Sequence, residues 1–497
     1  MSDKDAKPAT ENLSAAQPAQ DQLIVSKHRL TLAGQEIAYT ATCGTIVLKE
    51  ETLKKGEKEG EAEGEKARAS IFFIAYTRDD GDEADRPVTF SFNGGPGSSS
   101  VWLHLGLLGP KRVEMGDAGK VLPPPYRLVD NAFSLLDQTD LVFIDPVSTG
   151  YSRALPGEKP KEFHDFKKDI ESVGDFIRLY CTRYLRWSSP KYLIGESYGT
   201  TRAAGLSGYL QERHGLYLNG IMLVSAVLNF QTIEFEKGND LPYMLYLPSY
   251  AATAWYHQRM AGYMEKRSLA EVLEEAESFA LGEYNTALVK GDSLTTDERA
   301  RLVRKLARYT GLSEAYLDRL NLRPEIMRFT KELLRDQRRT VGRLDSRFTG
   351  IDRDAAGERI EHDPSMSAIM GPYTAAFNQY VRAELGYQSD LPYEVLKDLG
   401  EDWTFAQHHN RYVDVAETLR QAISMNPALR VFVANGYFDL ATPYFATQYT
   451  FNHLALEPAL RGNIRMGYYE AGHMMYVHMP SLEKLKADLA EWMNADK

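Results

Sequence analysis

Cysteine is nearly absent: Cys43 and Cys181 are the only two among 497 residues. A disulfide framework is therefore excluded, and one bridge is the most the chain can hold. Long apolar runs are missing too, since no stretch approaches the roughly 20 residues a membrane-spanning helix needs. The opening residues, MSDKDAKPATENLSAAQPAQDQ, contain nothing like the apolar core of a secretion signal. Basic charge is also in deficit, with 58 Lys and Arg against 69 Asp and Glu and a net charge of −11. Broad nucleic-acid binding relies on a basic surface that neutralises phosphates, so that class of partner is not expected. No fixed repeat period occurs, which speaks against a helical solenoid. The expectation is a protein of a reducing, cytoplasmic-type compartment with neither membrane nor nucleic-acid partners. Oligomeric state stays open.

What is present is ample material for a large core, with 43% hydrophobic residues. Residues 1–22 are polar and rich in Ala, Pro, Gln and Asp, which predicts a disordered tail. Strand-like segments follow at 36–48, 70–78 and 87–95, rich in Ile, Val, Phe, Tyr and Thr. The stretch 49–68 between the first two is dense in charge and glycine and reads as a solvated loop. Then strand and helix patterns alternate: TDLVFIDP (139–146), a helical 165–185, KYLIG (191–195), a helical 198–215 closed by Gly215, and LNGIMLVSAVL (218–228). Such alternation implies a parallel sheet with helices on its faces. From 231 to 425 the patterns are mostly helical, one of them opening with Thr295 and Glu298 at capping-box spacing. Strand runs return at 429–439 and 462–473, before a final helical segment at 481–493. The fold class expected is α/β, a mostly parallel central sheet with a large inserted helical cap. The corresponding divisions are a core first part at 23–230, the cap at 231–425 and a core second part at 426–497.

Chemistry is suggested first by LIGESYGT at 193–200, where Gly195 and Gly199 flank Ser197 just after an apolar strand run. In a nucleophile elbow, G-x-S-x-G holds a serine on a sharp strand-to-helix turn with its hydroxyl raised into a cleft. A serine hydroxyl needs a base to take its proton and a third group to orient that base. In the α/β-hydrolase order the acid comes next and the histidine last. Asp439 and His473 follow the two late strand runs in that order, each at a strand's C-terminal edge, where open α/β sheets place their sites. An oxyanion needs N–H donors. One is the backbone N–H of Tyr198, and the glycines of NGGPGSSS (93–100) let a second loop approach closely. That loop lacks both the lysine of a phosphate-binding P-loop and the G-x-G-x-x-G spacing of a dinucleotide site.

At this point the sequence resembles the serine carboxypeptidase family of α/β-hydrolases, as a disulfide-free, bacterial-type member. NGGPGSSS is similar to its oxyanion and carboxylate-binding loop, and FIDPVSTGYS (143–152) to the segment after its next strand. GESYG (195–199) matches its elbow, while FDLATP (438–443) and AGHMMYVHMP (471–480) resemble its acid and histidine loops. The resemblance implies peptide substrates and no cofactor or metal. It implies Ser197 as nucleophile, His473 as base then acid, and Asp439 as the group that orients it. It assigns oxyanion N–H groups to Gly95 and Tyr198, and the substrate's C-terminal carboxylate to Asn93, Gly94 and Glu196. Three departures stand out: Leu107 occupies the position of the family's second glutamate, Ser98 that of a cysteine, and the acid loop reads NGYFD. With Glu196 alone, weaker acid dependence and a less strict demand for a free C-terminus are expected.

Other readings of the same residues are plainer. Ser197 and His473 can be structural, Asp439 a turn residue or helix cap, and Glu196 a buried acid paired with a base. His408 and His409 are adjacent and share no helix face, so they do not suggest a metal site. Tyr243, Tyr246 and Tyr250 could line a pocket, but their helical spacing favours packing. The alternatives to a carboxypeptidase are an esterase or acyltransferase with the same triad, and a non-catalytic binding protein on a hydrolase scaffold.

Overall fold

The computed structural model describes residues 19–53, 61–80, 85–260 and 262–495. Most of the tail expected over 1–22 lies outside the described residues. Its last residue is not part of a tail, because Gln22 opens strand β1 (Gln22–Leu32), which pairs antiparallel with β2 (Gln35–Leu53). Only Leu30 and Leu32 of β1 are buried, so the strand carries too little apolar signal to be read locally. The supposed loop at 49–68 is also corrected. The far arms of β2 and β3 (Ala62–Arg78) fill much of it, paired Lys49 to Ala67 and Glu50 to Lys66, with residues 54–60 outside the described residues. The ladder satisfies the backbone while both faces keep their charges in water, so no alternation marks these arms as strand.

Strands β4 (Val88–Phe92), β5 (Asp140–Ile144), β6 (Lys191–Glu196), β7 (Gly220–Val224), β8 (Arg430–Gly436) and β9 (Ile464–Tyr469) complete the main sheet path. The order is β1-β2-β3-β5-β4-β6-β7-β8-β9, with a short strand at Arg153–Ala154 off β3. Pairing is antiparallel from β1 to β5 and parallel from there onward. Every residue of β4 to β7 is buried, as expected where helices cover both faces of a parallel sheet. This is the α/β architecture expected from the alternating pattern.

Helices α1 (Phe166–Arg183) and α2 (Tyr198–His214) cover one face, and Gly215 ends α2 in the left-handed conformation. From the inserted stretch, α3 (Leu241–Tyr256), α4 (Leu269–Phe279) and α5 (Thr296–Thr310) form a core of their own. Tyr246 and Tyr250 are buried in it. Thr295 and Glu298 close the capping box at the start of α5. That core also takes in Phe438, Leu440 and Tyr444, so it grips the segment just after β8. Helix α6 (Pro364–Ala383) instead packs on the second face of the sheet, beside the C-terminal helix, while α7 (Ala416–Met425) joins α1 and α2 on the first. The inserted stretch therefore both caps the sheet and completes its two faces.

Candidate active site

Strand β6 ends at Glu196 and α2 begins at Tyr198, leaving Ser197 alone at the turn with φ 61° and ψ −131°. A non-glycine residue pays a steric cost at such angles and persists only where its surroundings fix it. Here Ser197 N–H donates to Val224 O at 3.0 Å, and Ser197 O accepts from Thr200 N–H at 2.8 Å. The flanking glycines make the turn possible. A Cβ on Gly195 would lie 2.1 Å from the carbonyl oxygen of Gly199.

Asp439 and His473, on the loops after β8 and β9, meet directly. The Nδ1 of His473 lies 2.7 Å from Asp439 Oδ2, and both residues are buried. The other carboxylate oxygen of Asp439 accepts from the N–H groups of Ala441 at 2.7 Å and Thr442 at 3.0 Å. Thr442 Oγ1 also donates to Asp439 Oδ2 at 2.8 Å. The imidazole-bearing segment is pinned by His473 N–H on Leu344 O at 2.7 Å and by Ser225 Oγ on His473 O at 2.6 Å. Burial alone pushes the His473 pKa down, but the charge and hydrogen bond of Asp439 outweigh it and the net direction is upward.

The loop after β4 lies against the elbow. A Cβ on Gly94 would meet the backbone nitrogen of Tyr198 at 2.5 Å, so only glycine allows this approach. The N–H of Tyr198 is the first of α2, where a helix offers no internal acceptor, and it is free to serve an oxyanion. Arg202 of α2 holds the loop by donating to Asn93 O at 2.5 Å, and it forms a buried ion pair with Asp169 of α1 at 2.8 Å. Asp145, from the FIDPVSTGYS segment, accepts from Ser100 N–H at 2.8 Å and ties down the other end.

Glu196 stands behind the serine. Its carboxylate accepts from Asn93 Nδ2 at 3.0 Å and from the Tyr476 hydroxyl at 2.6 Å. Desolvation raises its pKa to about 7, against the opposing pull of His473 and the hydrogen bond from Tyr476. Tyr476 and Thr442 were not singled out from sequence. Each reaches its partner only through the fold, and Tyr476 lies 280 residues from Glu196 along the chain.

Asn93, Gly94, Gly95, Glu196, Ser197 and His473 all line one cavity of about 570 Å³. Its apolar wall comes from Trp102, Ile369, Leu399, Trp403, Phe405 and Met474. Asp439 lies behind His473, and the buried Tyr198 side chain reaches toward α1, its hydroxyl donating to Asp169 Oδ2 at 3.3 Å. Leu107 is fully buried in the apolar core on one face of the sheet, so its position offers the cavity no second carboxyl. Both cysteines are unpaired and buried, and no helix among the described residues is long and apolar enough to cross a membrane.

Comparison with known proteins adds a family. The profile of the family described as serine carboxypeptidase matches residues 58–466. The pheromone-processing carboxypeptidase KEX1 of Saccharomyces cerevisiae is 33% identical over 135 residues, which are 26% of this chain and 17% of that protein. A carboxypeptidase Y homolog of Arthroderma benhamiae is 32% identical over 167 residues, 31% of this chain and 29% of that protein. The matches thus span less than a third of the length of these curated relatives. The crystal structure of a prohormone-processing KEX1 carboxypeptidase from Saccharomyces cerevisiae superimposes with a TM-score of 0.54 at 15% identity. It covers 92% of this chain and 91% of that one, so the two share a fold.

Proposed function

The chain belongs to the serine carboxypeptidase family, and from that premise we propose that it hydrolyses the C-terminal peptide bond of peptides. The observation that carries this reading is the opening of two groups of residues into one cavity: Ser197 with the Asp439-oriented His473, and Glu196 with Asn93. Ser197 Oγ attacks the last peptide carbonyl while His473 Nε2 takes the hydroxyl proton. The N–H groups of Gly95 and Tyr198 stabilise the oxyanion. His473 then gives its proton to the departing amine as the C–N bond breaks, leaving the shortened peptide as an ester on Ser197. A water molecule, deprotonated by His473, opens that ester and restores the serine. Asn93, Gly94 and Glu196 hold the terminal carboxylate, and the wall around Trp403 and Phe405 favours apolar over charged side chains.

The test compares an N-blocked dipeptide, its C-terminal amide and an activated ester without a carboxylate. Turnover of the free acid well above that of the amide supports the carboxypeptidase. Equal turnover of acid and amide would mean that the terminus is not read, and cleavage of the ester alone would favour the esterase, the reading that buried Leu107 leaves open.

The pH dependence has two parts. His473 must be neutral to act as a base, and its pKa is raised, so kcat is expected to climb with pH through a value above 6.5. Glu196 can share a proton with a carboxylate only while protonated, so KM for the free acid is expected to climb as pH passes about 7. Glu196→Gln should abolish that climb in KM, with the Tyr476 hydroxyl turning to suit the amide, and should move the acid limb of kcat to lower pH, since the Glu196 charge helps raise the His473 pKa. The folded pKa of Glu196 lies above its unfolded 4.5, so the native state loses stability relative to neutral Gln as pH rises from about 4.5 to about 7, where the loss is complete. The glutamine variant should be more stable above pH 8 by up to about 3 kcal/mol in denaturant titrations. A wild-type optimum well below pH 5 would contradict both expectations.

A further inference from the structure

The family places a second carboxyl where this chain has the buried Leu107, yet a different charged group stands at the cavity. Arg343 lines it, beside Leu344. Its backbone is braced on the segments that carry the acid and the base: Arg343 O accepts from Leu440 N–H at 3.0 Å, and Leu344 O from His473 N–H at 2.7 Å. Its own N–H donates to Asp363 Oδ1 at 3.1 Å, while among the described residues its guanidinium has no hydrogen bond or ion pair. It is close enough to His473 for its charge to weigh on that imidazole. The other charged side chains lining the cavity are Glu196, Lys397 and Asp398. Lys397 is tied to the oxyanion loop, where its N–H donates to Gly97 O at 2.9 Å.

The reaction itself says which substrate group lies on the His473 side of the cavity. His473 must protonate the departing amine, so the leaving amino acid sits on the imidazole side of Ser197. That residue brings a carboxylate one carbon away from the amine. We propose that Arg343 is a specificity-determining residue that anchors the terminal carboxylate of the departing amino acid, in the role left empty by the second glutamate. Arginine suits it, because a permanently charged planar fork matches a carboxylate with two parallel donors. Unlike a shared proton, this anchor keeps working when Glu196 is ionised. The inference rests on the carboxypeptidase reading above.

Steady-state kinetics of Arg343→Gln and Arg343→Lys, on the N-blocked dipeptide acid and on the activated ester without a carboxylate, test it. On the pH plateau where His473 is neutral, losing one charge-assisted contact should raise KM for the acid about 10- to 100-fold with kcat nearly unchanged. The lysine variant should recover part of that loss, and on the same plateau the ester should be turned over as by wild type. An unchanged KM for the acid, or equal losses on acid and ester, overturns the anchor while leaving the peptidase standing. A wild-type enzyme that cleaves the ester but not the acid overturns the underlying reading, and the anchor with it.

Discussion

Replacing Ser197 with alanine is expected to lower kcat on an N-blocked dipeptide by about a million-fold with the fold intact, the size of loss seen when a serine nucleophile is removed. The methyl side chain keeps the elbow's shape but has no oxygen to form the acyl-enzyme, so only binding and the oxyanion N–H groups remain. A loss smaller than about a hundredfold would mean that Ser197 is not the nucleophile. The same position predicts a stability effect of opposite sense. At φ 61° and ψ −131° any Cβ is strained, at a cost of about 1–3 kcal/mol. Ser197→Ala retains that strain, whereas Ser197→Gly relieves it and gives back roughly 0.5–1 kcal/mol through the freer unfolded chain. The glycine variant should therefore be inactive yet about 1 kcal/mol more stable than the alanine variant in denaturant titrations. A glycine variant less stable than the alanine variant by roughly 0.5–1 kcal/mol, the entropy term alone, would show that the elbow stores no strain at Ser197.

The elbow was legible in sequence because its requirements are local: two glycines, one serine and an apolar strand run lie within eight residues. Asp439 was legible because it follows the buried run of β8, and His473 because it follows the next strand run in the chain order that a nucleophile elbow requires, although β9 itself is only partly buried. What stayed hidden was set by long-range packing. Thr442 and Tyr476 lie within the runs that carry Asp439 and His473, and Arg343 lies in the inserted stretch, but nothing local says that Tyr476 turns to Glu196 or that Arg343 edges the cavity. Nor could charge patterning tell the paired arms of β2 and β3 from a loop, because water covers both faces of a strand there. The helices at 364–383 and 416–425 share the periodicity of their neighbours, so only the finished fold shows that they pack on the sheet.

Asp439→Asn is expected to lower kcat by about 10⁴-fold, through the tautomer of His473 and not through loss of structure. Asparagine is nearly the same shape, and its oxygen can keep accepting from the N–H groups of Ala441 and Thr442, at 2.7 and 3.0 Å in the native protein. That choice turns its amide donors toward His473 Nδ1, where Asp439 Oδ2 now sits at 2.7 Å. A donor there forces the ring's own proton onto Nε2, the nitrogen that must receive the proton of Ser197. The substitution also removes the negative charge that raises the His473 pKa, leaving the lowering effect of burial unopposed by its main counterweight. The acid limb of kcat should therefore move to lower pH even as its plateau falls. Asp439→Ala breaks the same contact without imposing the wrong tautomer, but it leaves the N–H groups of Ala441 and Thr442 without their acceptor, so it should cost stability as well. Measuring kcat against pH for both variants, with denaturant midpoints alongside, separates these effects. An asparagine variant within tenfold of wild type would mean that Asp439 does not orient the base, whatever its distance from the imidazole.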